Sequence, residues 1–200
     1  MIAGSDEAGK GDYFGYIAVA CVACDEKTLK EMGVRDSKSL SSTQISRLEE
    51  EIKKRCIYSI VSVSPKRYNQ LHKDSGGVYN LNQILGWMHA KAIKEILGQC
   101  TPKRIIVDKF GDEANVLKNI EGVDISFLTS GESDRAVAAA SILARAEFLR
   151  KHEALSRRLE MPLPRGSAHV KEAARKLIEK HGREILTEVA KVHFRITEEL

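Results

Sequence analysis

One nine-residue run limits the folds open to this chain more than any other feature. Residues 136–144 read AVAAASILA and belong to a long helix that the sequence predicts from about residue 134 to 160. The side chains of this run are small and apolar all round, so the helix has no face here that suits water. We therefore expect its first half to lie in the core, with other elements packed around it.

The rest of the chain predicts a sheet on which such a helix could pack. β-rich runs occur at residues 2–8, 15–23, 56–63, 104–108 and 123–128. Helical periodicity occurs between a Ser41–Gln44 capping box and about Lys54, and again at about 80–97. An initial hairpin followed by alternating strands and helices is typical of an α/β fold with a mixed, helix-flanked five-stranded sheet. We expect one domain over residues 1–200, with C-terminal helices (about 163–200, broken near Gly182) packed on it.

Composition limits where the chain acts and what it binds. The net charge is +4, from 32 Lys and Arg against 28 Asp and Glu, which permits a polyanionic partner without demanding one. No apolar run has the length needed to cross a bilayer, and the N-terminus carries acids where a signal peptide carries basic residues. We therefore expect a cytoplasmic protein with no membrane partner, most simply a monomer. The four cysteines are interpreted as reduced and structural. One pair of them has a C-x-x-C spacing, but no second Cys or His pair completes a metal site.

Acidic residues recur where the predicted strands end. Asp6 and Glu7 close the first strand, Asp108 closes the fourth, and Glu132 and Asp134 stand between the fifth strand and the buried helix. Converging carboxylates repel one another unless a cation neutralises them, and such oxygen ligands suit Mg²⁺ or Mn²⁺. Two such ions can activate water and stabilise the leaving oxygen of a phosphodiester. The sequence thus predicts a metal-dependent site at one edge of the sheet.

The acid nearest the buried helix has a second interpretation. Asp134 stands at the N-cap position of that helix, where a carboxylate accepts a bond from a first-turn amide. Spacing alone leaves the capping and catalytic interpretations of Asp134 equally open. Asp6, Glu7 and Asp108 have no comparable structural explanation, so for them we favour function.

Six motifs of this chain, in order, resemble type 2 ribonucleases H, and most of all ribonuclease HIII. They cover nearly the whole sequence: residues 4–15 (GSDEAGKGDYFG), 36–40 (DSKSL), 80–82 (NLN) with 89–93 (HAKAI), 106–108 (IVD), 137–145 (VAAASILAR) and 163–166 (LPRG). The resemblance implies a ribonuclease H-like fold and metal-dependent hydrolysis of the RNA strand of RNA–DNA hybrids, leaving 5′-phosphate and 3′-hydroxyl ends.

The resemblance also implies a catalytic quartet that this sequence matches incompletely. Asp6, Glu7 and Asp108 match three acids, and the fourth is expected ten residues before Ser141, where this chain has Gly131. A one-residue deletion would bring Glu132 into register, so we assign the fourth metal ligand to Glu132 and keep Asp134 as second choice. Ribonuclease HIII usually carries a substrate-binding domain before the catalytic one. This chain starts at the catalytic motif, so we expect it to manage without that domain or to use its C-terminal helices instead.

Substrate contacts are likewise implied by the resemblance. The loop of Gly9, Lys10 and Gly11 is expected to reach the ribose 2′-hydroxyls, which distinguish RNA from DNA. Ser37 and Lys38 are expected to hold a phosphate, and Asn80 and Asn82 to lie near the nucleic acid. His89 is interpreted as a packing residue of its helix. Two alternatives stay open: a non-catalytic hybrid-binding module, and another nuclease on the same fold.

Overall fold

A computed structural model describes residues 1–34, 40–111, 113–118, 120, 122–129, 133–166 and 168–200. The strands are β1 (Ile2–Ala8), β2 (Ile17–Cys24), β3 (Ile57–Val63), β4 (Ile105–Asp108) and β5 (Ile125–Leu128). The α-helices are α1 (Glu26–Glu31), α2 (Ser42–Arg55), α3 (Pro65–Leu71), α4 (Leu81–Leu97), α5 (Ala114–Leu117), α6 (Arg135–Arg158), α7 (Val170–His181) and α8 (Ile185–Val189). No described helix has the length and apolar character that crossing a bilayer requires.

The five strands form one mixed sheet in the order β3-β2-β1-β4-β5. The first three strands are antiparallel neighbours, while β1, β4 and β5 run parallel. This confirms the mixed five-stranded sheet predicted from the sequence. The parallel arrangement brings the carboxyl ends of β1, β4 and β5 to the same edge.

The long apolar helix α6 packs on one face of the sheet, as its composition predicts. Its residues 136–140, 142 and 144 are fully buried. Gly4 of β1 explains how closely the helix approaches, because a Cβ there would lie 2.2 Å from Ala136 C and Val137 N. The missing side chain of Gly4 therefore sets the spacing between β1 and the start of α6.

The opposite face of the sheet is covered by α4. Ala3 and Val107 of the sheet join Leu85, Met88 and Ala92 of α4 in a second buried cluster. Successive residues of a strand point to opposite faces, so β1 sends Gly4 and Asp6 toward α6 and Ser5 and Glu7 toward α4.

The C-terminal segment forms a third cluster against the loop that follows β1. Tyr13 and Phe14 of that loop pack with apolar residues of α7 and α8. The helices break at Gly182, as predicted, where the backbone adopts a positive φ of 79°. Beyond α8 the chain becomes extended, and Ala190 forms an isolated antiparallel bridge with Phe14. The C-terminal segment thus lies directly beneath the loop that carries the glycine motif.

Candidate metal-dependent active site

Asp6, near the end of β1, and Asp108, the last residue of β4, face the same cavity from neighbouring parallel strands. The β1–β4 register pairs Ser5 with Val107, so Asp6 and Asp108 occupy the next positions of the two strands. The cavity has a volume of about 560 Å³, and Glu7 also lines it. Of the candidate acids that the structure describes, these three lie together.

The Asp6 carboxyl is buried, and this changes its acidity. Burial raises the pKa of Asp6 to about 8, and the nearby charges of Glu7 and Asp108 act in the same direction. Hydrogen bonds from the Glu7 backbone amide and from Ser141 of α6 oppose the shift. A cation in this cavity would relieve the repulsion and favour the charged carboxylate.

Glu7 lines the same cavity, and its carboxylate has two partners. Its Oε1 lies 2.5 Å from Lys10 Nζ, and its Oε2 lies 3.2 Å from His89 Nε2. Burial alone would raise the pKa of Glu7, but the hydrogen bonds and charges of His89 and Lys10 together hold it below its ordinary value. Glu7 is therefore a buried carboxylate whose negative charge is balanced within the fold.

His89 has a larger role than the sequence indicated. It is fully buried on α4, its Nδ1 lies 2.8 Å from Ser5 Oγ, and its ring stacks on Phe110 with centroids 4.7 Å apart. The interpretation of His89 as an ordinary packing residue misses its contact with Glu7. The signal available in the sequence is a histidine on the same helical stripe as Leu85 and Ala92, where apolar residues belong.

The described acids fit a hard divalent cation in chemistry but are not arranged as a finished site. Carboxylate oxygens are the ligands that Mg²⁺ and Mn²⁺ prefer. Within the described ranges, no group of three or more His, Cys, Asp or Glu side chains is arranged to hold a metal ion. Glu7, although it lines the cavity, is paired with Lys10 and His89. Glu132, the expected fourth ligand, lies outside the described residues.

Asp134 lies away from this group of acids. Its Oδ1 accepts a 2.8 Å hydrogen bond from the Ala136 amide, as an N-cap of α6. Its Oδ2 lies 3.7 Å from Nη2 of Arg104, which precedes β4, whereas Asp108 ends that strand. These contacts support the helix-cap interpretation of Asp134 and do not bring it to the cavity with Asp108.

The glycine loop is shaped by close contacts below it. Gly9 has a φ of +86°, and a Cβ there would lie 2.3 Å from the Tyr16 carbonyl oxygen. Gly11 has no such constraint, since no atom lies within 4 Å of its Cβ position. Lys10, expected to contact the substrate with this loop, is paired with Glu7 in this structure. Asp12 Oδ1 accepts a 2.7 Å bond from the Gly166 amide, which ties the loop to the last of the six motifs.

The C-terminal segment holds the same loop from beneath. The Gly15 amide donates to the Val189 carbonyl and the Lys191 amide to the Tyr13 carbonyl, both at 2.9 Å. The fully buried Lys191 ammonium donates to the Gly15 carbonyl at 3.0 Å. Asn69 of α3 in turn fixes this segment through its amide, by bonds to the Thr187 and Ala190 carbonyls and from the Val192 amide.

The remaining predicted substrate contacts are only partly described. Asn80 caps α4 through a reciprocal capping box with Gln83, and Asn82 lies against the backbone of Gly111, just beyond β4. Both therefore stand near the edge that carries Asp108. Ser37 and Lys38 lie outside the described residues. The cavity also contains Arg145 and Arg165, which were not among the predicted substrate contacts.

Comparison with known proteins shows the family and the fold to which the chain is similar. Residues 3–197 match the family model described as Ribonuclease HII. Ribonuclease HIII of Protochlamydia amoebophila is 40% identical over 200 residues, covering 96% of this chain and 65% of that protein. The chain thus spans about two thirds of the length of the curated relatives that it matches.

Solved structures show the same fold. Bst-RNase HIII in complex with Mn²⁺ superposes with a TM-score of 0.89 at 32% identity, covering 99% of this chain and 68% of that one. The ribonuclease HII of the PCNA complex from Archaeoglobus fulgidus gives a TM-score of 0.80 at 32% identity, covering 95% and 93%. The predicted ribonuclease H-like fold is confirmed, and the chain belongs to the ribonuclease HII family.

Proposed function

We propose that this chain is an endoribonuclease that hydrolyses the RNA strand of RNA–DNA hybrids with Mg²⁺ or Mn²⁺. The observation that carries the proposal is the position of Asp6 and Asp108 at the ends of neighbouring parallel strands, in one cavity beside the glycine loop. Membership of the ribonuclease HII family and the Mn²⁺ complex of Bst-RNase HIII support the reaction class and the choice of cation.

The proposal assigns roles to the acids and to two arginines. Asp6, Glu7, Asp108 and Glu132 hold the cations, which when bound activate water and stabilise the leaving oxygen. The resulting ends are a 5′-phosphate and a 3′-hydroxyl. Arg145 and Arg165 line the cavity and suit the phosphates that flank the cleaved bond.

Substrate choice is assigned to the loop and its neighbours. Gly9, Lys10 and Gly11 read the ribose 2′-hydroxyls, with Lys10 moving from Glu7 when a cation replaces its charge. Ser37, Lys38, Asn80 and Asn82 stay predicted substrate contacts. A cytoplasmic location and a monomeric state likewise stay predictions.

A cleavage assay with three duplexes tests the proposal. We expect the purified chain with Mg²⁺ or Mn²⁺ to cut an RNA–DNA hybrid and to leave a DNA duplex intact. A DNA duplex with one ribonucleotide then tests whether a single ribonucleotide is enough for recognition. Asp108→Asn should abolish cleavage without unfolding the protein.

A matched variant controls for the loss of a carboxylate. Asp134→Asn also removes one carboxylate charge, but from the N-cap of α6, and it keeps an oxygen that can cap that helix, so it should retain most activity. Hybrid binding without cleavage under any divalent cation would favour the non-catalytic binding module instead. Cutting of the all-DNA duplex would favour a different nuclease on this fold.

A further inference from the structure

A groove with two exposed aromatic rings lies on the outer side of α4. Tyr79 is 47% exposed and Trp87 is 46% exposed, and both line a cavity of about 480 Å³. The buried side chain of Ile84 forms part of its floor. We call this surface the aromatic groove; its other described lining residues include Arg67, Gln83 and Lys118.

The charged side chains among the described lining of the aromatic groove are both cations. Arg67 and Lys118 line it, and none of its described lining residues is acidic. Lys91 Nζ lies 5.8 Å from the centre of the Trp87 ring, which adds a third cation at its margin. Exposed rings flanked by cations match the chemistry of single-stranded nucleic acid, whose bases stack and whose phosphates are anionic.

The aromatic groove is close to the proposed active site. The inner side of α4 carries His89 against Glu7, while Trp87 lies on its outer side. The width of a helix is roughly 10 Å, so the two surfaces are separated by about one helix diameter. Asn80 and Asn82 stand at the N-terminal end of α4, and Tyr79 and Gln83, on either side of them in sequence, line the groove. A strand that leaves the cavity over this end of α4 comes next to the groove.

We propose that the aromatic groove binds unpaired nucleotides that extend from the hybrid, by stacking on Trp87 and Tyr79. Arg67 and Lys118 contact the phosphates of that strand. The bases of a duplex are already stacked on one another, so the rings select an unpaired overhang over a blunt end. This inference rests on the proposed function, because the hybrid brings the overhang to the groove.

The chain offers a direct optical test, since Trp87 is its only tryptophan. The cleavage-inactive variant Asp108→Asn is titrated with a blunt hybrid and with hybrids that carry a DNA or an RNA overhang at either end. We expect overhangs to quench Trp87 fluorescence and the blunt hybrid to leave it nearly unchanged. The four overhangs show which strand and which end the groove accepts.

Binding assays with labelled nucleic acid measure how much Trp87 contributes to the affinity. Trp87→Ala, in the same inactive background, should weaken binding of the preferred overhang substrate about fivefold to a hundredfold, the range for loss of one stacking contact. Trp87→Phe should recover part of that loss and guards against misfolding of the alanine variant. Affinity for the blunt hybrid should stay within twofold in both.

Tyr58 supplies a matched control. It is another exposed aromatic residue, 38% exposed, with Lys53 Nζ 5.9 Å from its ring centre, and it lies on β3 away from the groove. Tyr58→Ala should leave overhang binding unchanged. An equal loss in Tyr58→Ala, or no quenching by any overhang, overturns the proposal; in the second case a protein segment becomes the better candidate occupant.

The outcome is separable from that of the proposed function. Cleavage of the blunt hybrid by the otherwise unmodified chain tests the active site without involving the groove, and Trp87→Ala should cleave it at the original rate. Quenching by overhangs with no cleavage of any hybrid would keep the groove and reject the enzyme. Cleavage without quenching would keep the enzyme and reject the groove.

Discussion

Replacing Asp6 with Asn should stabilise the metal-free protein. Burial raises the pKa of Asp6 to about 8, whereas the ordinary value is 3.8. Between these two values the folded state keeps a proton that the unfolded chain has released, so the unfolding free energy of the original chain falls as the pH rises. The asparagine has no such proton and can still accept the bond from the Glu7 amide, which measures 2.7 Å.

The size of this effect follows from linkage. One pKa unit corresponds to about 1.4 kcal/mol, which sets a ceiling of about 4 kcal/mol at pH 7. The cavity is open to solvent on one side, and water that enters it lowers the penalty, so we expect about 1–3 kcal/mol. The gain should shrink toward zero as the pH approaches 4.

Urea unfolding in EDTA from pH 4 to 8 measures the difference directly. Asp25→Asn is the control, because the Asp25 side chain is 70% exposed and should change stability by less than about 0.5 kcal/mol. Added Mn²⁺ should stabilise the original chain more than Asp6→Asn, since the ion requires the carboxylate. Parallel pH profiles for the two proteins would refute the argument that Asp6 is a strained, buried acid.

Further predictions concern the fourth acid, the packing of α6 and the charge of the substrate. Glu132→Gln should lower the cleavage rate with little change in melting temperature, while Asp134→Ala should lower stability by about 1 kcal/mol and keep most activity. The reverse outcome, with Asp134→Asn inactive and Glu132→Gln active, would exchange the two assignments. Gly4→Ala should destabilise the fold by about 3 kcal/mol or more in urea, because its Cβ would overlap the α6 backbone. Affinity for the hybrid should fall about a hundredfold or more between 50 and 200 mM salt. A flat salt profile in a filter-binding assay would exclude phosphate contacts as the main source of affinity.

Local patterns predicted most of the fold because each depends on neighbours in sequence. The Ser41 capping box begins α2 as predicted, and the buried run begins a helix capped by Asp134. The helix α3 was not among the elements predicted from the sequence, and Pro65 is its first residue. This proline follows the cap Ser64, and the few turns of this short helix give little periodicity.

The site was predictable where it depends on strand ends and not where it depends on distant partners. Asp6 and Asp108 meet because parallel neighbouring strands end at one edge, which the order of elements already indicates. His89 meets Glu7 across 82 residues, and Lys191 meets Gly15 across 176. A single sequence shows that such residues are polar among apolar neighbours but does not identify the group they contact.

Two buried ionisable side chains near the glycine loop, Asp6 and Lys191, make the stability of the fold depend on pH in opposite directions. Burial lowers the pKa of Lys191 to about 7, with Asp12 opposing the shift, so the penalty for its charge is complete below pH 7 and is relieved as the pH rises toward 10.5. The penalty for Asp6 instead grows from pH 4 to 8. Near pH 7 both groups therefore lower the stability of the metal-free fold. A methionine in place of Lys191 would avoid its desolvation but would leave the Gly15 carbonyl without this partner. The buried lysine is thus explained by the position it gives the loop, as the buried Asp6 is explained by the cation it is proposed to hold.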